Sequence, residues 1–221
     1  MAATLHLIRH GETTANVMHR LDTALPGDSL TDFGVRQGVR FGFDNRPARE
    51  PVLVSSVARR AVETAEAIAS VWDVDPVALE GIHEVQVGDL ESRYDDEAHG
   101  VFTDIVNRWY AGEVDARIPG GESLTMVHGR YLPVIDHLAA THLAGSDPRD
   151  VYVVSHGAVI RLIASPLTGI DRKFAAATHL RNTGSIEIEY TESGVWVCKR
   201  WGATPAPFGR NDEPLVVEPM G

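Results

Sequence analysis

Two stretches far apart in the chain, LHLIRHGE (Leu5–Glu12) and VYVVSHGA (Val151–Ala158), share one pattern: an apolar run, one polar residue, then His-Gly. A run without polar alternation reads as a strand covered on both faces, and such strands occupy parallel sheets packed between helices. The remaining segments fit that frame. Strands are expected at Thr4–Ile8, Pro51–Val54, Val77–Leu79 and Val151–Ser155, with a hairpin of Ser185–Tyr190 and Val195–Arg200 around Glu192-Ser193-Gly194. Helices are expected over Leu30–Phe43, from a Ser55 or Ser56 cap to Trp72, and over Ala98–Tyr110, Ser123–Leu143 and Ala158–Leu167. The class is α/β: three αβα layers around a mostly parallel central sheet, with one antiparallel strand.

With 221 residues, 43% of them hydrophobic, the chain suffices for one large domain spanning 1–221. A net charge of -11 argues against a general nucleic-acid or anionic-membrane binder, so any bound anion must meet a local cluster of cations. The single cysteine, Cys198, has no internal partner, and no basic-then-apolar leader or long apolar run is present; a cytoplasmic location is expected. Arginine outnumbers lysine 18 to 2, as in GC-rich bacterial coding. The prolines from Gly202 onward predict an irregular tail, 202–221.

If both repeated strands lie parallel in one sheet, His10 and His156 emerge at its carboxyl edge, where open α/β sheets bind ligands. Gly11 and Gly157 would let the backbone turn beside each imidazole. One histidine after a strand is usually an ordinary turn or core residue; two in the same context make a site. In SSVARRAVET (Ser55–Thr64), Arg59 and Arg60 occupy a first helical turn, where the macrodipole favours anions over cations, so a bound anion accounts for them better than a solvated surface does. Spacing leaves open which of the two faces inward. Glu84, within IHEVQVGDLES, has apolar neighbours of the kind that favour a carboxyl's neutral form, as a general acid requires.

Five motifs in order carry a resemblance to the histidine phosphatase superfamily, the phosphoglycerate mutase-like fold, from about Leu5 to Tyr190. They are Arg9-His10-Gly11-Glu12-Thr13, the Ser55–Ala65 run, Glu84 before Gly88, Gly120-Gly121-Glu122-Ser123, and Ser155-His156-Gly157. The resemblance implies His10 as the nucleophile that is transiently phosphorylated. It places Arg9, Arg60 and His156 around the non-bridging oxygens, which chooses Arg60 over Arg59. Asn16 matches a phosphate-contacting side chain, Gly11, Thr13 and Gly157 fall in the same substrate-binding segments, and Glu84 matches the proton donor to the leaving oxygen. Neither a metal nor another cofactor is implied, and the partner is a small-molecule phosphate ester. The chain departs from the family pattern in VMHRLDTALPGDS (Val17–Ser29), where a Gly-rich segment is common, and at Glu91-Ser92, where Glu-Gly is common.

The mutases of the family carry a long basic and aromatic insertion after the donor. Here 35 residues separate Glu84 from Gly120, with eight acids against three arginines, a poor lining for a bisphosphorylated acid. A metal-independent phosphomonoesterase is therefore expected, with segment 89–121 as a helical cap over the pocket where Trp109 and Tyr110 touch substrate. The alternatives are a cofactor-dependent phosphoglycerate mutase and a non-catalytic phosphate-binding protein of the same fold. No G-x-S-x-G elbow, Walker A loop, H-E-x-x-H or C-x-x-C is present. His6 and His10, about 13 Å apart along a strand, are too distant to share a metal. Asn182, Thr183 and Gly184 are expected at the same sheet edge.

Overall fold

The alternation of side chains along the first strand decides the layers. In the computed structural model, which describes residues 3–191 and 193–208, β1 (Thr4–Arg9) sends Leu5 and Leu7 to one face and His6 and Ile8 to the other. It pairs in parallel with β4 (Val151–Ser155), Leu5 beside Val151 and Arg9 beside Ser155. Leu5, Leu7, Ile8, Val153 and Val154 have no exposed surface, and burial of side chains this size stabilises by about 1.5–3 kcal/mol each.

Five further strands complete the sheet: β2 (Val52–Ser56), β3 (Val77–Leu79), β5 (Ser185–Tyr190), β6 (Trp196–Trp201) and β7 (Thr204–Pro205). The order is β3-β2-β4-β1-β5-β6-β7. The chain leaves β1 through α2 (Asp32–Asp44) toward β2 on one side, and leaves β4 through α6 (Gly157–Thr168) toward β5 on the other. Neighbouring strands whose connections diverge open a crevice at their carboxyl ends, and here those strands end at Arg9 and Ser155.

One face of the sheet is covered by α2 and α3 (Arg59–Trp72), whose Phe41, Ala61, Ala65, Ile68 and Trp72 pack with Ile8, Leu53, Tyr152 and Val154. The other face receives α4 (Asp96–Tyr110), α5 (Leu124–Leu138), α6 and α7 (Arg172–Ala177). Among the described residues no helix is long and apolar enough to cross a membrane.

Several expectations need correction. The central strands β1–β4 run parallel as expected, but two strands rather than one, β5 and β7, run against them, with antiparallel pairings β1–β5, β5–β6 and β6–β7, because the terminal hairpin joins the main sheet. The tail is regular at its start, since Thr204–Pro205 pairs with β6; residues 209–221 lie outside the described residues. Neither Ser55 nor Ser56 caps α3, because β2 runs through both and the cap position is Ala58, which makes no side-chain cap bond. The helix expected over Ser123–Leu143 is α-helical to Leu138 and closes in a π turn at Ala139–Leu143. The four-residue helix α1 (Thr14–Val17) and α7 are too short to leave a periodic signal.

Trp109 and Tyr110, expected to touch substrate, belong to the core, with the Trp109 indole N–H donating to Ala116 O at 2.7 Å. Segment 89–121 instead meets the loop after α1: Leu21 N donates to Arg93 O, Ser92 N donates to Leu21 O, and the Glu91 carboxylate accepts from the Thr23 amide and hydroxyl. Ser92 has φ +65, the left-handed region natural to glycine. Ser92→Gly relieves about 1–2 kcal/mol of steric strain against a backbone-entropy cost of about 0.5–1 kcal/mol. Urea denaturation should show a net gain of several tenths of a kcal/mol or more; a loss would contradict the strain argument.

Candidate active site

The carboxyl edge of β1 and β4 brings His10 and His156 face to edge, ring centroids 5.3 Å apart at 62°. His10 Nδ1 lies 2.7 Å from Gly11 O, and because a carbonyl only accepts, Nδ1 carries the proton and Nε2 presents its lone pair. Arg60, in the first turn of α3, donates its single Nε–H toward both rings, at 3.2 Å to His10 Nε2 and 3.2 Å to His156 Nδ1. His156 Nε2 therefore carries a proton and donates to Ser56 Oγ at 3.0 Å. Burial first, then the charges of Arg60 and Arg9, hold the His10 imidazole well below its usual range; burial and Arg60 do the same for His156. Both rings are neutral at neutral pH.

Of the two arginines that open α3, Arg60 is buried and Arg59 exposed. Arg60 Nη1 meets Asp22 Oδ2 at 3.3 Å, and Asp22 is itself fixed by the Asp28 amide at 3.0 Å. Arg9 donates through Nη1 to Leu180 O at 2.7 Å, while its buried Nε has no protein acceptor. Burial lowers Arg9 to about 10, which leaves it a cation at neutral pH.

Glu84 is held differently from what its apolar neighbours suggest. Oε1 accepts from the Val85 and Val159 amides at 2.8 and 2.9 Å, and Oε2 from the Ala158 amide at 3.0 Å. The carboxyl thus sits on the N-terminus of α6, where a helix presents its unpaired N–H groups. The segment carrying it is clamped by Arg130, which donates to Gly81 O, His83 O and Glu84 O and pairs through two nitrogens with Glu122. Glu122 in turn accepts from the Gln86 amide.

The substrate-binding expectations are placed as follows. Thr13 caps α1 and lines the pocket. Asn16 Oδ1 accepts from Thr13 N and from Asn182 Nδ2, which leaves the Asn16 amide group as its donor. Gly157 lines the pocket, and a Cβ there would meet the Arg9 side chain at 3.2 Å. Gly11 does not line it: its N–H is taken by Thr64 Oγ1, and a Cβ would lie 2.5 Å from Gly34 O, so its glycine is required by close backbone approach rather than by ligand access. Asn182, Thr183 and Gly184 lie at the expected edge, bonded to the backbone of Arg9 and His10.

Sequence reasoning missed Arg20, Asp22, Ser56, Thr64 and Arg130. The departure of Val17–Ser29 from the family pattern is the available signal for the first two, and Ser56 and Thr64 lie in the Ser55–Ala65 run that carries the resemblance, which assigns neither a role beyond Ser56 as a candidate helix cap. A larger groove of about 960 Å³ between α2 and the terminal hairpin contains none of Arg9, His10, Arg60 or Glu84, which line the smaller pocket with the fully buried His156 behind them, so the chemistry, not the volume, marks the smaller pocket.

These features define a pocket lined by Arg9, His10, Arg60 and Glu84 at the carboxyl edge of an open α/β sheet. The chain belongs to the histidine phosphatase superfamily (branch 1), whose family model matches residues 5–204. It is 29% identical over 197 residues to a probable phosphoglycerate mutase of Yersinia pestis, covering 89% of each chain. A mycobacterial glucosyl-3-phosphoglycerate phosphatase superposes with TM-score 0.77 at 25% identity, covering 92% of this chain and 100% of that one. A mutant phosphoserine phosphatase from Entamoeba histolytica, complexed with phosphoserine, shares the fold at TM-score 0.75 and 23% identity, covering 91% and 97%.

Two predictions concern stability. Below the unfolded histidine value of 6.5 the unfolded chain protonates where folded His10 and His156 do not. Stability is therefore fully present above that pH and falls with acidification, by about 1.4 kcal/mol per pH unit for each ring. Urea denaturation between pH 7.5 and 5.5 measures the slope, and His10→Gln should remove one ring's share. Arg130→Gln strands Glu122 and three carbonyls, and chemical denaturation should show a loss of about 3 kcal/mol; an unchanged midpoint would refute the clamp.

Proposed function

We propose that the chain is a metal-independent phosphomonoesterase of a bacterial cytoplasm, working through a phosphohistidine on His10. The observation that carries this reading is the Gly11 O contact at His10 Nδ1, which leaves Nε2 as a neutral, unprotonated nucleophile between Arg60 and His156.

In the first step Nε2 forms a bond to phosphorus as the bond to the ester oxygen breaks. The three equatorial oxygens take their hydrogen bonds from Arg60, from the uncommitted Arg9 Nε, from the Asn16 amide, and from His156 in its other neutral tautomer, with the proton on Nδ1 and Nε2 accepting from the Ser56 hydroxyl. Glu84 gives a proton to the leaving oxygen through Oε2, the oxygen with a single N–H partner. In the second step water attacks phosphorus, the phosphorus–nitrogen bond breaks, Glu84 takes the water proton, and inorganic phosphate and His10 are released.

The similarity to a probable phosphoglycerate mutase supports a second reading, transfer of the phosphoryl group back to a phosphoglycerate. Phosphate release from an aryl phosphate, run beside a 2,3-bisphosphoglycerate-dependent mutase assay, separates the two. Hydrolysis should dominate, survive excess EDTA, and fall by roughly 10³-fold or more in His10→Ala. Unchanged turnover in that variant would falsify the nucleophile, and rapid interconversion of 3- and 2-phosphoglycerate would replace the phosphatase reading with the mutase one.

A further inference from the structure

Beside the carboxyl end of β1 two side-chain amides face each other, and backbone groups dictate which way each one points. The Thr13 N–H can only donate, so the Asn16 atom 3.2 Å from it is Oδ1. The His10 carbonyl can only accept, so the Asn182 atom 3.1 Å from it is Nδ2. That same Nδ2 donates to Asn16 Oδ1 at 3.2 Å, a pairing in which donor meets acceptor only in this orientation of both amides.

Asn16 lines the pocket, whereas Asn182 does not. Two donors on Oδ1, from Thr13 and Asn182, turn Nδ2 away from both, and among the described residues neither of its hydrogens has a protein acceptor. The last torsion of an asparagine is broad, so the Thr13 bond alone leaves the plane of the Asn16 amide free, and a second donor from another element sets it. Asn182 can serve as that donor because its loop is stitched to β1: Arg9 N donates to Gly184 O at 2.9 Å and Thr183 N to Arg9 O at 3.0 Å. Without Asn182 the His10 carbonyl still accepts from Thr183 N at 3.3 Å, but Asn16 Oδ1 has no other donor from that loop. Loss of Asn182 therefore falls on Asn16 rather than on the nucleophile.

We propose that Asn182 is a positioning residue of the pocket: its Nδ2 holds the Asn16 amide in the one orientation that presents N–H groups, and no acceptor, to a phosphoryl oxygen. An Asn16 turned the other way would set its own carbonyl oxygen against the phosphoryl oxygen, acceptor against acceptor. The role rests on the reading above only in that the pocket takes a phosphoryl group; it requires no turnover.

Calorimetric binding of inorganic phosphate to the wild type, Asn182→Ala, Asn16→Ala and the double variant tests whether Asn182 acts through Asn16. Each single variant, shown to be folded by its thermal transition, should bind phosphate about tenfold more weakly. The double variant should be no more than about twofold weaker than Asn16→Ala, whereas independent roles would multiply to about a hundredfold. Asn182→Asp, which keeps the shape and removes the donors, should bind at least as weakly as Asn182→Ala. Losses that multiply, or wild-type affinity in both Asn182 variants, overturn the proposal. Turnover of an aryl phosphate is measured on the same proteins. A wild type that binds phosphate and shows the coupling yet hydrolyses no ester retains the role of Asn182 and loses the phosphatase reading; one that binds no phosphate loses both.

Discussion

One N–H group, Arg60 Nε, points between two imidazoles that must both be neutral to accept it. Almost every other feature of the pocket serves that condition. Two cationic imidazoles beside two arginines would concentrate like charge in a water-poor space, so burial and the guanidiniums together keep His10 and His156 unprotonated. Burial requires apolar strands leading to the histidines, and β4, buried throughout, and β1, buried at Leu5 and from Leu7 to Arg9, provide it. The parallel pairing sets the separation, because Arg9 beside Ser155 brings the next residue of each strand to the same edge.

The acidic chain reconciles its overall charge with a pocket lined by buried arginines by distributing carboxyl groups as struts. Asp22 steadies Arg60, Glu122 steadies Arg130, and Glu84 occupies the amides that open α6. Each is paired with a guanidinium or with backbone donors, which is what permits carboxyl groups at this depth. The Arg130–Glu122 pair acts at one remove: it holds the backbone of residues 81–86, and so holds Glu84, without lining the pocket.

How legible the site was in the sequence follows from the range of each interaction. The two His-Gly strand ends carry their signal within eight residues, and the layered fold follows from apolar runs alternating with amphipathic helices. Arg60 needed the family resemblance, since spacing on the helix did not separate it from Arg59. The partners of these residues were not legible: Asp22 lies 38 positions from Arg60, Ser56 100 from His156, and Arg130 49 from Gly81, and no local periodicity spans such gaps. Glu84 shows the limit differently. Its sequence neighbours are apolar and buried, but its carboxyl reaches past them to the amides of another element.

The lengthened loop of Pro26-Gly27-Asp28 acquires its reason from the same contacts. A Cβ on Gly27 would lie 2.5 Å from Arg60 Nη1 and 3.1 Å from Asp22 Oδ2, and its φ of +71 already suits glycine. Pro26 O accepts from the Arg59 amide at the start of α3, and Asp28 N holds Asp22. The departure from the family pattern is therefore a strap laid over Arg60, with Arg20 and Thr14 fastening its far end through Asp28. Segment 89–121 supports the loop from behind through Glu91 and Arg93. The strap, not the inserted helix, contributes Arg20 and Asp22 to the wall of the pocket, so differences in loop 20–28 alter the charge of that wall while leaving His10 and His156 in place.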